Sequence, residues 1–266
     1  MFTATIVLPV IFVVFAWWIS TGAILYLDQK PPATYRASFA GGTIAGAVGL
    51  LVIVFASHTT DVASAYLAFT GALLIWGWQE MAFLMGFITG PRRTACPPFA
   101  REWQRFILAT EAILYHELAL AASVGLVAAV TWNHPNQVGA QSLFILWVMR
   151  LSSKLNLFLG VRNRYESMLP PHLSHLTSYF GRPALNLLFP VVVTAASVAC
   201  YLMWQSAVAP QVSPFGATAL CLLATLLTLA VLEHWFLVIP LSVESMWNWA
   251  MGGRNISDAP RGDVSR

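Results

Sequence analysis

The sequence predicts an all-α, polytopic membrane protein, a bundle of about seven transmembrane helices. Of the 266 residues, 58% are hydrophobic and only 9% are charged, whereas a typical soluble domain carries about 25% charged residues. Seven apolar stretches are long enough to cross a bilayer, which takes roughly 20 residues. The cations in the connections between them fall on one side only, as expected for a membrane protein of fixed orientation.

The expected spans are bounded by residues that interrupt a helix. Pro31 and Pro32 follow the first span, Gly90 and Pro91 follow the third, and a glycine and a proline precede the sixth. Residues 1–250 are expected to form one transmembrane domain, and the polar residues 251–266 a flexible cytoplasmic tail. The spans are expected at about 5–27, 37–57, 62–89, 105–132, 137–161, 184–208 and 214–240.

The lysines and arginines predict the orientation of the bundle. Of fourteen such residues, all but Arg150 and Lys154 lie in connections, at span ends or in the tail. These twelve all fall on the same side of a seven-span arrangement, and the amino-terminal segment and the even-numbered connections contain none. The amino terminus is therefore predicted outside the cytoplasm and the carboxyl terminus inside it.

Eight titratable residues fall inside the predicted spans. Charged groups are costly in hydrocarbon, and those that occur there usually pair with one another or serve a function. With a rise of about 1.5 Å per residue, four helices place these groups at similar depths in the cytoplasmic half of the bundle. We therefore expect one buried polar cluster, formed by Glu80, Glu111, His116, Glu117, Arg150, Lys154, Glu233 and His234.

Three interpretations of this cluster stay open. The carboxylates, cations and imidazoles can neutralise one another as a structural ion-pair network. The carboxylates and imidazoles are also suitable metal ligands, although Glu111 and His116 lack the Glu-x-x-His spacing of helical di-iron sites. Alternatively, His116 or His234 ligates a tetrapyrrole, because a membrane histidine can bind the central metal of a macrocycle. Each of these two histidines has an alanine one helical turn before it, which leaves space on its own face.

Two further features concern packing. Gly42 and Gly46 form a G-x-x-x-G pair in the second span, which allows close approach of a helix from the same chain or from a second copy. The longest connection on the basic side contains a short predicted helix after Pro171. Its apolar face, which includes Leu173 and Leu176, is expected to lie in the membrane interface.

Several blocks of the sequence carry a resemblance to a known family. They are residues 17–28, 65–93 (ending FLMGFITGPRR), 114–118 (LYHEL), 146–151 (LWVMRL) with 154–156, 160–163 and 232–236 (LEHWF). Together these blocks resemble the photosynthetic complex assembly protein 2 family (PuhE), a membrane family of anoxygenic phototrophs classed as a domain of unknown function. The resemblance extends over nearly the whole chain.

The resemblance implies a biological setting rather than a chemistry. The family belongs to purple-type phototrophic bacteria and is encoded near the reaction-centre H subunit. It implies a multi-pass factor of the bacterial inner, intracytoplasmic membrane that assists assembly of the reaction centre and core light-harvesting complex. The leading interpretation is a non-enzymatic factor that handles bacteriochlorophyll or nascent subunits, and an enzymatic activity stays open.

The implied partners are the lipid bilayer, reaction-centre or core-antenna subunits and their assembly factors. No nucleic acid is expected, because the sequence contains no nucleic-acid-binding patch. The cofactor stays open between bacteriochlorophyll or another tetrapyrrole and a metal ion. The alternative function is a membrane metalloenzyme that acts on pigment or quinone through the buried Glu/His cluster.

The orientation can be tested with reporter fusions. Fusions after Lys30, Arg101 and Arg266 should report a cytoplasmic location, and a fusion near Asn136 should report an external one, because the basic connections stay on the cytoplasmic side. Paired alkaline phosphatase and green fluorescent protein fusions provide the measurement. A carboxyl-terminal fusion that reports an external location would contradict the seven-span arrangement.

Overall fold

The fold is known from a computed structural model, which describes residues 3–241, 243–247 and 249–250. These residues form helices and connections without a β-strand, and they include seven helices long and apolar enough to cross a membrane. The predicted fold class is thus confirmed, while the predicted tail at 251–266 lies outside the described residues. The helices are α1 (Leu8–Asp28), α2 (Tyr35–Ala56), α3 (Val62–Leu84), α4 (Glu102–Val130), α5 (Val138–Leu159), α6 (Leu188–Ala207) and α7 (Pro214–Phe236).

The third helix ends earlier than the predicted span 62–89. It stops at Leu84 because Gly86 adopts a left-handed conformation with φ +79°. The N–H of Gly86 donates to Phe83 O, and the N–H of Phe87 donates to Ala82 O, both over 2.9 Å. This pair of bonds is the Schellman motif that terminates helices. Gly86, rather than Gly90, is therefore the stop signal, and the other helix ends lie within four residues of prediction.

The centre of the bundle is formed by α3 and α7, which are the most buried of the seven helices. α3 packs against α1, α2, α4, α5 and α7, whereas α6 packs mainly against α7 at the edge of the bundle. Phe69 of α3 and Leu222 of α7 are fully buried in the shared core, together with Val13 of α1. The central position of α3 matters for the site, because Glu80 lies one turn before its end.

Glycines allow α2 and α3 to approach very closely. A Cβ atom built on Gly49 would lie 2.6 Å from Gly71 O, and one built on Gly71 would lie 2.6 Å from Gly49 O. Gly42 and Gly46, the G-x-x-x-G pair found in the sequence, also face α3, because Cβ atoms added there would meet its side chains. The small-residue face of α2 is therefore used within the chain.

The end of the bundle that carries the loop arginines, called the basic end below, is covered by a 3-10 helix at Pro171–Tyr179. Its buried residues Leu173 and Leu176 pack with Phe83 of α3 and Ala112 of α4. The apolar face of this segment thus contacts the bundle, and its position in the membrane interface stays a prediction. Burial lowers the pKa of His175 on this segment.

The contact between α2 and α3 predicts the effect of adding a single methyl group. Gly49→Ala and Gly71→Ala should each destabilise the protein by about 1–3 kcal/mol, because the Cβ would overlap a backbone carbonyl that cannot rotate away. Gly41→Ala is the matched control on α2, since a Cβ there has no atom of the described residues within 4 Å. The free energy of unfolding in mixed SDS micelles is the measurement. Equal stability of all three variants would contradict the close contact.

Candidate functional site

Two ion pairs join α5 to α3 and α4. Arg150 and Lys154 lie four residues apart on α5, so their side chains project from one face. Arg150 Nη2 donates to Glu80 Oε2 of α3 over 3.1 Å, and Lys154 Nζ donates to Glu117 Oε1 of α4 over 2.5 Å. Hydrogen bonds between charged groups are stronger than neutral ones. Four of the eight predicted residues therefore pair directly and fasten three helices together.

His116 of α4 borders the first of these pairs. It is fully buried, its Nε2 lies 3.9 Å from Glu80 Oε1, and its ring packs on Phe83 with 4.5 Å between ring centroids. Neither ring nitrogen has a hydrogen-bond partner among the described residues. The backbone N–H of His116 donates to Thr89 O over 2.9 Å, which attaches the connection after α3 to α4. The imidazole is thus held by packing beside Glu80.

Glu233 of α7 reaches the same region from the other side. Its Oε1 accepts a hydrogen bond from Trp17 Nε1 of α1 over 2.6 Å. Glu80, Arg150 and Glu233 line one crevice of about 170 Å³ between α1, α3, α5 and α7, called the α1–α7 crevice below. Among the described residues, no lysine or arginine nitrogen lies within 4 Å of the Glu233 carboxylate. An indole, rather than a cation, is therefore the closest donor to this carboxylate.

Two predicted members lie outside these contacts. Both ring nitrogens of His234 are engaged, Nε2 with Ser152 Oγ and Nδ1 with Ala230 O, each over 2.8 Å. Glu111 is half-buried, and it takes part in none of the ion pairs between described residues. The structure thus gathers six of the eight predicted residues around Arg150 and Lys154 and places Glu111 and His234 apart from them.

Two tryptophans, which were not among the predicted site residues, complete the site as uncharged hydrogen-bond donors. Trp17 supports Glu233, and Trp147 Nε1 lies 3.4 Å from Glu117 Oε2 as a second donor to that carboxylate. A helical face provides a signal for Trp147, because it precedes Arg150 by three residues and Lys154 by seven. No comparable signal points to Trp17, since tryptophan in a membrane span is typical of an interfacial anchor.

Arg150 separates two openings in the bundle. One is the α1–α7 crevice, and the other is a cavity of about 540 Å³ between α4 and α5, called the α4–α5 cavity below. Glu117 and Lys154 line the second cavity, and Arg150 lines both. The site can therefore present a polar wall to a guest molecule on either side. In the part of the chain that the structure describes, no group of three or more His, Cys, Asp or Glu side chains is arranged to hold a metal ion.

Comparison with known proteins decides the family. The family model described as "Protein of unknown function (DUF3623)" matches residues 3–258. The chain belongs to the DUF3623 family. The "Uncharacterized 30.4 kDa protein in puhA 5'region" of Rhodobacter capsulatus is 36% identical over 242 residues, which cover 90% of this DUF3623 chain and 88% of the relative. No solved structure matches the chain.

The Glu80–Arg150 pair predicts a marked difference between single and double substitutions in this DUF3623 protein. Arg150→Met should destabilise it by about 3 kcal/mol, because Glu80 is left as a buried unpaired charge. This estimate is at the low end for buried pairs, since the Arg150 side chain is 42% exposed to the cavities. The double variant Glu80→Gln/Arg150→Met should recover most of the loss, because neither charge is stranded.

The control for this experiment is the exposed pair of Arg164 and Glu166, which are 3.2 Å apart. Arg164→Met should cost no more than about 1 kcal/mol, as for other surface ion pairs. SDS unfolding of all three variants provides the comparison. Equal stability of the single and double variants would show that the pair does not couple α3 to α5.

Proposed function

We propose that this chain is an integral membrane factor that assists assembly of the photosynthetic reaction centre and core light-harvesting complex. The observation that carries the proposal is the relative from Rhodobacter capsulatus, which is named for its position in the 5' region of puhA. The blocks at 17–28, 114–118 and 232–236, which resemble the PuhE family, support the same setting. The proposed partners are reaction-centre or core-antenna subunits in a bacterial inner membrane.

The geometry of the site favours assistance over catalysis. The charged groups of α3, α4 and α5 contact one another, and such pairing accounts for the burial of charges in a membrane bundle. The metalloenzyme alternative needs several ligands that converge on one point. Among the described residues, the cluster lacks that convergence, because no three His, Cys, Asp or Glu side chains are placed to hold a metal ion, and both ring nitrogens of His234 are hydrogen-bonded.

A role in handling pigment would not use the two predicted ligands in their present arrangement. His116 is fully buried and lines neither of the two cavities around Arg150. An axial ligand needs a free ring nitrogen and open space on that side of the ring, and His234 has both nitrogens in hydrogen bonds. The geometry therefore favours contact with nascent protein subunits, or with pigment that a subunit already holds.

Deletion of the gene in its phototrophic host tests the proposal. Membranes should then contain less reaction centre and core antenna, because complexes that lack an assembly factor are degraded before they mature. Absorption spectra of isolated membranes, together with immunoblots of reaction-centre subunits, provide the measurement. Complementation with the wild-type gene and with Arg164→Met should restore the complexes, whereas Arg150→Met should restore them only partly, because it lowers the amount of folded factor.

The deletion strain also distinguishes an assembly factor from the alternative, a membrane metalloenzyme. An enzyme that acts on pigment or quinone would leave its substrate behind, so a new tetrapyrrole or quinone intermediate would accumulate in lipid extracts of the deletion strain. An assembly factor leaves the chemical composition of both pools unchanged. Normal levels of reaction centre and core antenna in the deletion strain would refute the proposed function.

A further inference from the structure

The α4–α5 cavity separates two helices that follow one another in the chain. Its walls are α4 and α5, and residues of the connection after α5 close it toward the basic end. Thr110 and Leu118 at its rim are exposed, and Leu118 lies midway along α4. The opening therefore lies on the side of the bundle that would face lipid. Its volume of about 540 Å³ falls within the range of roughly 300–1,000 Å³ that is usual for ligand sites.

Aromatic side chains make up six of the twenty residues that line this cavity. They come from α3, α4, α5 and the connection after α5, so four separate parts of the chain contribute rings to one space. Aromatic walls favour a flat ring in the guest, because offset stacking and edge contacts add to the burial of apolar area. The rings are those of Phe83, Phe106, Trp147, Phe158, Tyr179 and Phe180.

The apolar lining is interrupted by the Lys154–Glu117 pair and also by Arg150, Thr110 and Ser153. Lys154 Nζ and Trp147 Nε1 both direct a hydrogen bond to the carboxylate of Glu117. An ammonium group carries three donors, and among the described residues Lys154 makes one hydrogen bond, the one to Glu117. The wall thus offers spare N–H donors from a group whose charge is already balanced by its neighbour.

This combination selects a neutral acceptor. Both cations of the lining are already paired, Lys154 with Glu117 and Arg150 with Glu80, so an anionic head group would add a negative charge that no free cation balances. The end toward the basic face is closed by the apolar side chains of Leu169 and Leu176, whereas a phosphate head group needs water or several cations. A carbonyl oxygen accepts a hydrogen bond from an ammonium without bringing a charge.

We infer that the α4–α5 cavity binds a neutral, ring-headed isoprenoid lipid of the quinone class. The ring lies among the aromatic side chains, one carbonyl oxygen accepts a hydrogen bond from Lys154 Nζ, and the tail leaves past Leu118 toward the bilayer. A magnesium chlorin fits the cavity less well, because no histidine among the described residues lines it to supply an axial ligand. The inference concerns binding alone and does not depend on the proposed assembly role.

Photolabelling of the full chain in phosphatidylcholine nanodiscs tests this inference. The probe is a photoreactive azido-ubiquinone, and decylubiquinone is the competitor. Labelling of the wild-type protein should be saturable, should be suppressed by decylubiquinone, and should map to peptides of α4 and α5. Phosphatidylglycerol and bacteriochlorophyll serve as the other competitors and should leave the labelling unchanged.

Three variants locate the site. Ala121→Phe fills the cavity, because Ala121 lines it, whereas the neighbouring Ala122→Phe adds the same ring on an exposed face of α4 and is the matched control. Glu117→Gln/Lys154→Met removes the donor without leaving an unpaired charge. Ala121→Phe removes steric fit, and Glu117→Gln/Lys154→Met removes a charge-assisted hydrogen bond. Each should therefore raise the half-saturating probe concentration at least about tenfold. The control should stay within about twofold of wild type.

Several results would overturn the inference. They are labelling that does not saturate, labelling that survives Ala121→Phe, and suppression by phosphatidylglycerol or bacteriochlorophyll instead of decylubiquinone. Size-exclusion profiles and melting curves show whether each variant is folded. If the double variant is unstable, the comparison of Ala121→Phe with Ala122→Phe alone decides the inference. Reaction-centre levels in the deletion strain are measured separately, so a failure of the binding test can be told apart from a failure of the assembly proposal.

Discussion

The arrangement of this bundle depends on the cost of placing a charge where water is absent. A carboxylate in the span of a membrane helix needs a partner from another helix, because its own helix uses its backbone donors internally. Glu80 and Glu117 find such partners on a single helix, α5, at two positions one turn apart. The two bonds therefore fix the position and rotation of α5 relative to both α3 and α4, and they determine which side chains can line the spaces between these helices.

Packing without a hydrophobic driving force sets the rest of the bundle. Lipid tails are as apolar as leucine, so membrane helices associate through close contact and polar bonds. The backbone contact between Gly49 and Gly71 provides the close contact between α2 and α3. The ion pairs provide the polar bonds among α3, α4 and α5. α3 takes part in both kinds of contact, which explains its central position.

Much of the fold followed from the sequence because membrane helices depend on length and apolar composition. The end of α3 did not, because Gly86 and Gly90 are equally plausible stops in the sequence and only the backbone conformation distinguishes them. The site was predicted from depth alone. Depth places Glu80, Glu117, Arg150 and Lys154 at one level, where the structure has two ion pairs, but it contains no information about rotation around each helix axis.

Rotation explains why His234 differs from the other members. His234 follows Glu233 directly, which places the two side chains about 100° apart on α7. Glu233 consequently meets Trp17 of α1, while His234 meets Ser152 of α5. Tertiary packing decides which of two adjacent polar residues reaches the cluster, so a sequence pattern that gives only depth includes both of them.

Arg150 lies between the two spaces on either side of α5. Its guanidinium pairs with Glu80 and borders both the α1–α7 crevice and the α4–α5 cavity. A guest in the α4–α5 cavity would contact the wall formed by Lys154 and Glu117, one helical turn from Arg150. Since Arg150 and Lys154 share one face of α5, a shift of that helix on binding would also move Arg150 against Glu80. The two openings therefore share one guanidinium, so a guest in either of them would lie against a group that also borders the other.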